Sequence, residues 1–560
     1  MTIRRTLQRR VYASTILVTL GICAPALGCA QARPATTANT AAATTAAATG
    51  APASAPPERP ALVVLLVLDQ FRADYLQRFG PQLTGGLARL MRNGAQFTDA
   101  HHDHAITETA PGHASLLSGR FPRSTRIMLN RVGVEDDTLP LIGGGIGSGA
   151  SPARFAGSTL VDWLRARDRG TRVLSVSMKD RGAILPVGRA KGDVYWYSPN
   201  GRFVTSRYYA STLPSWVTAF NARRLPQNYA GGIWTLLLPD SAYRERDDFS
   251  IEGAGQDYLF PHRLPTDSGD AASLVRVTPF IDDITLQFAL QGVVSRELGA
   301  DGGARPRTDV LSVSLSATDV IGHRYGPDSR EMHDQVLRVD RALGSFLDSL
   351  YALRDSTRVL VALTSDHGVA SIPEFTSSNQ AEGMPLAQRV ELYSLLPAVR
   401  AKLRAARVDT FAIHIDEQIV LVDRDAFKKA KVDPEPMIDA FAAEIRNVPG
   451  VLRADRFAKM VADSADDPIA RRWSHQFPAA VRVELVVTLA PSSTWGGNVG
   501  SHGSPHPYDS HVPLIIAGAG ISPGPFNGFV RTVDLAPTLA ALVGVKPTEP
   551  LDGVPLPIKR

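Results

Sequence analysis

Cysteine is almost missing from this 560-residue chain: Cys23 and Cys29 are the only two, and both stand near the N-terminus. The body beyond them has no disulfide available, so packing alone must hold it. A chain of this length can manage that, because it buries most of its surface. Net charge is scarce as well. Of 60 lysines and arginines, four (Arg4, Arg5, Arg9, Arg10) fall in residues 1–32, which hold no acid, leaving 56 against the 55 acidic residues. A body so balanced has no bulk field for nucleic acid or anionic lipid, and the pI of 9.2 is no nucleic-acid signal. Internal repeats and heptad seams are absent too. With 44% hydrophobic and 21% charged residues, wholesale disorder, a polytopic membrane protein and a collagen-like fibre are excluded.

What is present begins with a targeting layout at residues 1–32. The four arginines precede an uncharged run from Val11 to Ala32, ending in small residues, as in a secretory signal peptide. Ala30-Gln31-Ala32 fits an A-x-A cleavage site. Ala26-Leu27-Gly28-Cys29 is a looser fit to a lipoprotein box with Cys29 acylated, and Arg4-Arg5-Thr6-Leu7 loosely resembles a twin-arginine signal. An uncleaved anchor is the plain alternative, since the run is nearly long enough to span a bilayer. The expected location is periplasmic or secreted, with membrane contact only through a lipid on Cys29. Residues 33–60 are rich in Ala, Thr and Pro, a composition that cannot offset ordering entropy and reads as a disordered tether.

The body, residues 61–555, carries strand-length apolar runs at Ala61–Leu68, Thr171–Val176, Asp309–Leu315, Arg358–Leu363 and Val512–Ala517. Near-continuous runs mean strands buried on both faces. Helical patterns lie between them at Gly86–Asn93, Ser158–Ala166, Ile281–Leu298, Glu331–Leu353 and Thr532–Leu542. The alternation predicts an α/β fold, with a doubly wound, largely parallel central sheet flanked by helices. Two stretches interrupt it. Residues about 185–275 form an aromatic-rich insert with a hairpin around Asn200-Gly201. Residues about 370–490 form a small α+β insert, with helices at Leu386–Ala405 and Pro434–Arg446 and strands at Phe411–Ile415 and Gln418–Val422. The glycine run Gly143–Gly149 lacks a strand-then-helix setting and reads as a surface loop, not a dinucleotide site.

Ligands of open α/β sheets gather at the carboxyl ends of the strands, and three runs end near carboxylates: Asp69, Asp319 and Asp366. Asp319 and His323 lie one helical turn apart. Asp366-His367 follows a buried strand, and His502 sits in a Gly-rich loop with His506 nearby. Mixed oxygen and imidazole ligands suit zinc better than calcium or magnesium. Each pair alone reads as a surface pair; together they point to a two-metal centre. In Thr107-Glu-Thr109-Ala-Pro111-Gly112-His113, Thr109 falls at a helix start, where backbone N–H groups favour an anion. Its hydroxyl is a poor nucleophile until a metal lowers its pKa, and helix capping is the plain alternative.

Asp69, the T-x-P-G-H segment, Asp319-x3-His323, Asp366-His367-Gly and His502-Gly, in this order, resemble the alkaline phosphatase superfamily over about residues 60–555. The resemblance implies two Zn2+, one held by Asp319, His323 and His502 and the other by Asp69, Asp366 and His367. Thr109 would be bound to the second as nucleophile, and His506 is the alternative third ligand at the first. Met178-Lys179-Asp180-Arg181-Gly182-Ala183 is similar to the signature of single-chain, Thr-dependent bacterial phosphomonoesterases. On that likeness Lys179, Arg181 and Asn130 bind phosphoryl oxygens of small phosphate esters, and the chain is a monomer. A Lys plus an Arg neutralise the extra charge of a monoester dianion; a solvated turn is the plain alternative for that segment. The expected activity is alkaline phosphatase through a phosphothreonine intermediate. A phosphodiesterase or nucleotide pyrophosphatase on the same scaffold, or a dual enzyme, is the alternative. A sulfatase needs Cys or Ser where Thr109 stands.

Overall fold

Runs of Leu and Val without polar interruption must be covered on both sides, and they build the middle of one large sheet. The computed structural model describes residues 59–300, 307–376 and 387–558. The proposed signal peptide (1–32), its two cysteines and the tether through residue 58 lie outside the described residues. In chain order the strands of interest are β1 (Leu62–Leu68), β2 (Gly94–His101), β3 (Leu141–Ile142), β4 (Val173–Ser177), β5 (Asp193–Ser198), β6 (Arg202–Ser206), β7 (Asp309–Leu315) and β8 (Val359–Thr364). They continue with β9 (Ile413–Asp416), β10 (Ile419–Val422), β11 (Val451–Arg456), β12 (Val483–Leu489), β13 (Leu514–Gly518) and β14 (Gly524–Arg531). The helices used below are α1 (Gly86–Asn93), α2 (Thr109–Leu116), α3 (Leu160–Arg167), α4 (Asp180–Ile184), α5 (Phe280–Ser295), α6 (Ala317–Tyr325), α7 (Arg330–Leu353), α8 (Pro468–Gln476) and α9 (Leu535–Val543).

The sheet runs β14-β2-β13-β8-β1-β7-β4-β5-β6-β3. Its centre, β8-β1-β7-β4-β5, is parallel throughout, whereas β13 runs antiparallel to both β8 and β2. The result is the mixed, mostly parallel sheet expected. Successive side chains of β1 serve opposite faces. Leu62, Val64, Leu66 and Leu68 join a core with Phe288 of α5 and Leu343 and Phe346 of α7. Val63, Leu65 and Val67 join another with Leu160 and Trp163 of α3 and Leu539 of α9. That division explains why the strand is apolar at every position.

Strands β14, at the sheet edge, and β2, next to it, escaped the sequence reading. The sequence of β2, GAQFTDAH, mixes buried with exposed positions, and that of β14, GPFNGFVR, has no buried position. The hairpin around Gly201 forms as expected, with Trp196 opposite Val204 and Tyr197 opposite Phe203, and Gly201 takes the φ of +82° that the turn requires. It does not stand apart, however. β5 pairs in parallel with β4, so the start of the aromatic-rich stretch extends the central sheet. The second stretch builds its own antiparallel sheet, β9-β10-β12-β11, over a separate core that includes Leu403, Phe427, Phe441 and Ile445. The helix expected over Leu386–Ala405 begins at Leu396, because Arg389–Val390 is spent pairing with Thr494–Trp495.

Candidate active site

The three acids flagged at strand ends meet in one cleft. Asp69 follows β1, its backbone N–H donating to the Leu315 carbonyl at 2.9 Å. Asp319 and His323 sit on α6, which follows β7, and Asp366-His367 follows β8. Asp69, Asp366 and His367 are fully buried and Asp319 nearly so. Ligand atoms of Asp69, Asp366 and His367 lie within 4.8 Å of one another, as do those of Asp319, His367 and His502. His367 thus reaches both groups. His323 adjoins the second, its Nε2 3.4 Å from Asp319 Oδ1.

The histidines share one orientation. Nδ1 of His323 lies 2.9 Å from the Gly500 carbonyl, Nδ1 of His367 2.9 Å from that of Gly368, and Nδ1 of His502 2.8 Å from that of Thr107. Each Nδ1 must therefore carry the proton and donate it, which leaves every Nε2 lone pair facing the acids. His506 does the opposite, its Nε2 contacting the Leu489 carbonyl at 2.8 Å, so it turns away from the cleft.

The electrostatics show what the cage lacks. Burial, with Asp366 next to it, pushes the Asp69 carboxyl well above the usual carboxylate range. Burial also opposes ionisation of Asp319, but Lys179, His323 and His502 outweigh it and hold that group well below. His367 and His113 hold Asp366 down in the same way, against its burial. His502 is held neutral by burial and by His367 and His323. Oδ1 of Asp69 is buried without a hydrogen-bonding partner. Lys179 is the cation at hand, its Nζ 2.7 Å from Asp69 Oδ2 and 2.6 Å from Asp319 Oδ2. Three buried acids, one lysine and three inward Nε2 lone pairs make a donor set that fits divalent metal of the zinc type.

Thr109 opens α2 in the same cleft, with Glu108 as the N-cap residue. Pro111 falls in the first turn, where its missing N–H costs no helical bond. The Thr109 hydroxyl lies 3.4 Å from His367 Nε2 and 3.4 Å from Lys179 Nζ. Asn130 Oδ1 accepts the Ala110 N–H at 2.7 Å, leaving the amide NH2 to donate elsewhere. Arg181 lies in the first turn of α4, its Nε buried without a partner.

Sequence reasoning passed over three neighbours. Gln70 adopts a φ of +66°, unusual for a side chain of its size. There its backbone N–H donates to Asp366 Oδ1 (3.1 Å) and its Nε2 to Asp319 Oδ1 (3.0 Å). His113 places Nδ1 2.9 Å from the Thr109 carbonyl and 3.0 Å from Asp366 Oδ2, tying the helix to an acid. Glu108 Oε2 accepts the Asn130 N–H at 2.6 Å, and burial pushes this carboxyl up to about 7. His113 and Glu108 lie in or beside the T-x-P-G-H segment, and Gln70 is next to Asp69, so proximity to a motif was their only signal.

Residues 63–470 match the type I phosphodiesterase / nucleotide pyrophosphatase family. The chain belongs to that family, within the alkaline phosphatase superfamily. It is 32% identical to alkaline phosphatase PhoV of Synechococcus elongatus, covering 87% of this chain and 90% of that one. It is 30% identical to alkaline phosphatase PafA of Elizabethkingia meningoseptica, covering 87% and 92%. The crystal structure of wild-type PafA matches with a TM-score of 0.81 at 28% identity, covering 90% of this chain and 99% of that one. The protein is accordingly an enzyme, a phosphatase of this superfamily.

Proposed function

We propose that the protein is an exported phosphomonoesterase that works through a phosphothreonine on Thr109. The carrying observation is the set of His323, His367 and His502, each giving Nδ1–H to a backbone carbonyl and turning Nε2 toward buried acids. Asp319, His323 and His502 would hold one Zn2+ and Asp69, Asp366 and His367 another, and bound there the pair would supply positive charge to lower the pKa of the Thr109 hydroxyl and stabilise the leaving oxygen.

The chain's own residues do the rest. Thr109 Oγ attacks phosphorus in line from the start of α2, the ester oxygen departs with its alcohol, and water then cleaves the phosphothreonine to release phosphate and restore the hydroxyl. His113, bonded to the Thr109 carbonyl, holds that turn against Asp366. Arg181, with its unpartnered Nε, Lys179 and the free NH2 of Asn130 receive the phosphoryl oxygens. A monoester dianion offers one more charged oxygen than a diester, so two cations favour it. Arrangement in line, with position and charge as the main contributions, is what phosphoryl transfer requires.

Export is read from the basic and apolar layout of residues 1–32. No helix among the described residues is long and apolar enough to cross a membrane. Diesterase activity on the same scaffold is the second reading, favoured by the family match itself.

The test compares kcat/KM for p-nitrophenyl phosphate and bis-p-nitrophenyl phosphate in the zinc-loaded protein, and in Lys179→Ala and Arg181→Ala. A large monoester preference that collapses in both variants is expected, with no phosphoenzyme trapped from Thr109→Ala. A diester preference indifferent to both cations, or full turnover by Thr109→Ala, would sink the proposal.

A further inference from the structure

The glycine run Gly143–Gly149 finds its place beside the phosphoryl-binding groups. It follows β3, which pairs with β6, and it docks on the β5–β6 hairpin. The Ile146 N–H donates to Ser198 Oγ at 2.8 Å, and Asn200 Nδ2 donates to the Gly144 carbonyl at 2.7 Å. Loop and hairpin enclose a cavity of about 430 Å³ whose walls include Lys179, Arg181 and Trp196. Ile146, 63% exposed, stands at its rim. The cavity opens beside Arg181 and Lys179, the groups read above as receiving the phosphoryl oxygens.

Two charged residues of the wall have no assigned duty. Arg276 sits in a one-turn segment, Val275–Val277, anchored by buried Val275. The helix before it is fastened to the hairpin by the Tyr197 hydroxyl, which donates to the Ala272 carbonyl at 2.5 Å. Among the described residues the Arg276 guanidinium has no hydrogen-bond or ion-pair partner, and neither has the Glu135 carboxylate. Asp180 differs, because its Oδ1 accepts the Arg181 N–H at 2.6 Å. With Lys179 and Arg181 committed to the phosphoryl group, the leaving group meets an apolar wall, one free cation and one free acid.

We propose that this cavity is a leaving-group subsite that selects phosphate monoesters bearing a second anionic group, with Arg276 as its receptor and Glu135 as the charge acting against anions misplaced in the pocket. The proposal rests on the phosphomonoesterase reading above and adds a substrate class to it.

The experiment uses phenyl phosphate and 4-carboxyphenyl phosphate, with kcat/KM measured for the zinc-loaded parent, Arg276→Ala and Glu135→Gln. The ratio of carboxylated to plain ester, compared between proteins, cancels the intrinsic reactivity of the esters. Because Arg276 is exposed, a solvated charge pair predicts that the ratio falls about two- to fivefold in Arg276→Ala. It should rise by a similar factor in Glu135→Gln, and both effects should shrink as ionic strength increases. Normal turnover of phenyl phosphate with an unmoved ratio, or equal losses on both esters, overturns the subsite and leaves the phosphomonoesterase intact. Failure of the parent protein to hydrolyse either ester overturns both.

Discussion

Glu108 shows how one buried carboxyl can organise a site without touching substrate. It precedes the proposed nucleophile, and its Oε2 accepts the backbone N–H of Asn130, whose side chain in turn holds the Ala110 N–H. Burial pushes Glu108 up to about 7, so above that pH the bond to Asn130 is charge-assisted and below it is not. Glu108→Gln replaces a charged acceptor with a neutral one, a difference of about 1 kcal/mol. The expected outcome is a roughly five- to tenfold lower kcat/KM for p-nitrophenyl phosphate at pH 8, read from initial rates. The gap should narrow at pH 6, where the parent's own carboxyl is protonated.

Helix α2 meets the end of β8, and helix α6 meets Gln70, through glycines, which lets the side chains of the candidate site approach one another. A Cβ on Gly112 would lie 2.1 Å from the Asp366 carbonyl oxygen, and one on Gly322 would lie 1.9 Å from Gln70 Oε1. The first contact is with backbone at a strand end, so it can be relieved only by moving α2, and Thr109 with it. Gly112→Ala should cost about 1–3 kcal/mol, read from the urea midpoint. It should also cost on the order of a hundredfold in kcat, because displacements near 1 Å are that expensive. Gly528→Ala, where nothing lies within 4 Å of the added carbon, should leave both measurements close to the parent. Equal effects at the two positions would refute the close-approach argument.

A buried acidic cage that binds metal links the stability of the fold to metal binding. Lys179 bridges Asp69 and Asp319. Removing one partner of a buried ion pair costs about 3–5 kcal/mol. Lys179→Ala should therefore lower the Tm of chelator-treated protein by far more than that of zinc-loaded protein, in differential scanning calorimetry. Added zinc should restore most of the loss. A variant with the same Tm deficit in both states would mean that Lys179 serves packing and not the charge balance of the cage.

The sequence by itself determined the sheet's centre and pointed to the acids and histidines that meet in one cleft. Apolar runs such as ALVVLLVL need cover on both faces, and acids and histidines at their ends had few other uses. Asp319 and His323 were legible because helical periodicity is local, and Thr109 because Pro111 and Gly112 mark a helix start. Tertiary structure alone decided β2 and the edge strand β14, whose polarity carries no clear period. It also brought β5 into the central sheet and turned Gln70 into the left-handed region. The His-Gly context already favoured His502 over His506; how the two rings are turned was of the same kind. Both are histidines of one loop, and only the carbonyls they meet, Thr107 for one and Leu489 for the other, set which lone pair faces the acids. Spacing along the chain governs contacts a turn or two apart, whereas the pairing of loops hundreds of residues apart depends on the packed sheet between them.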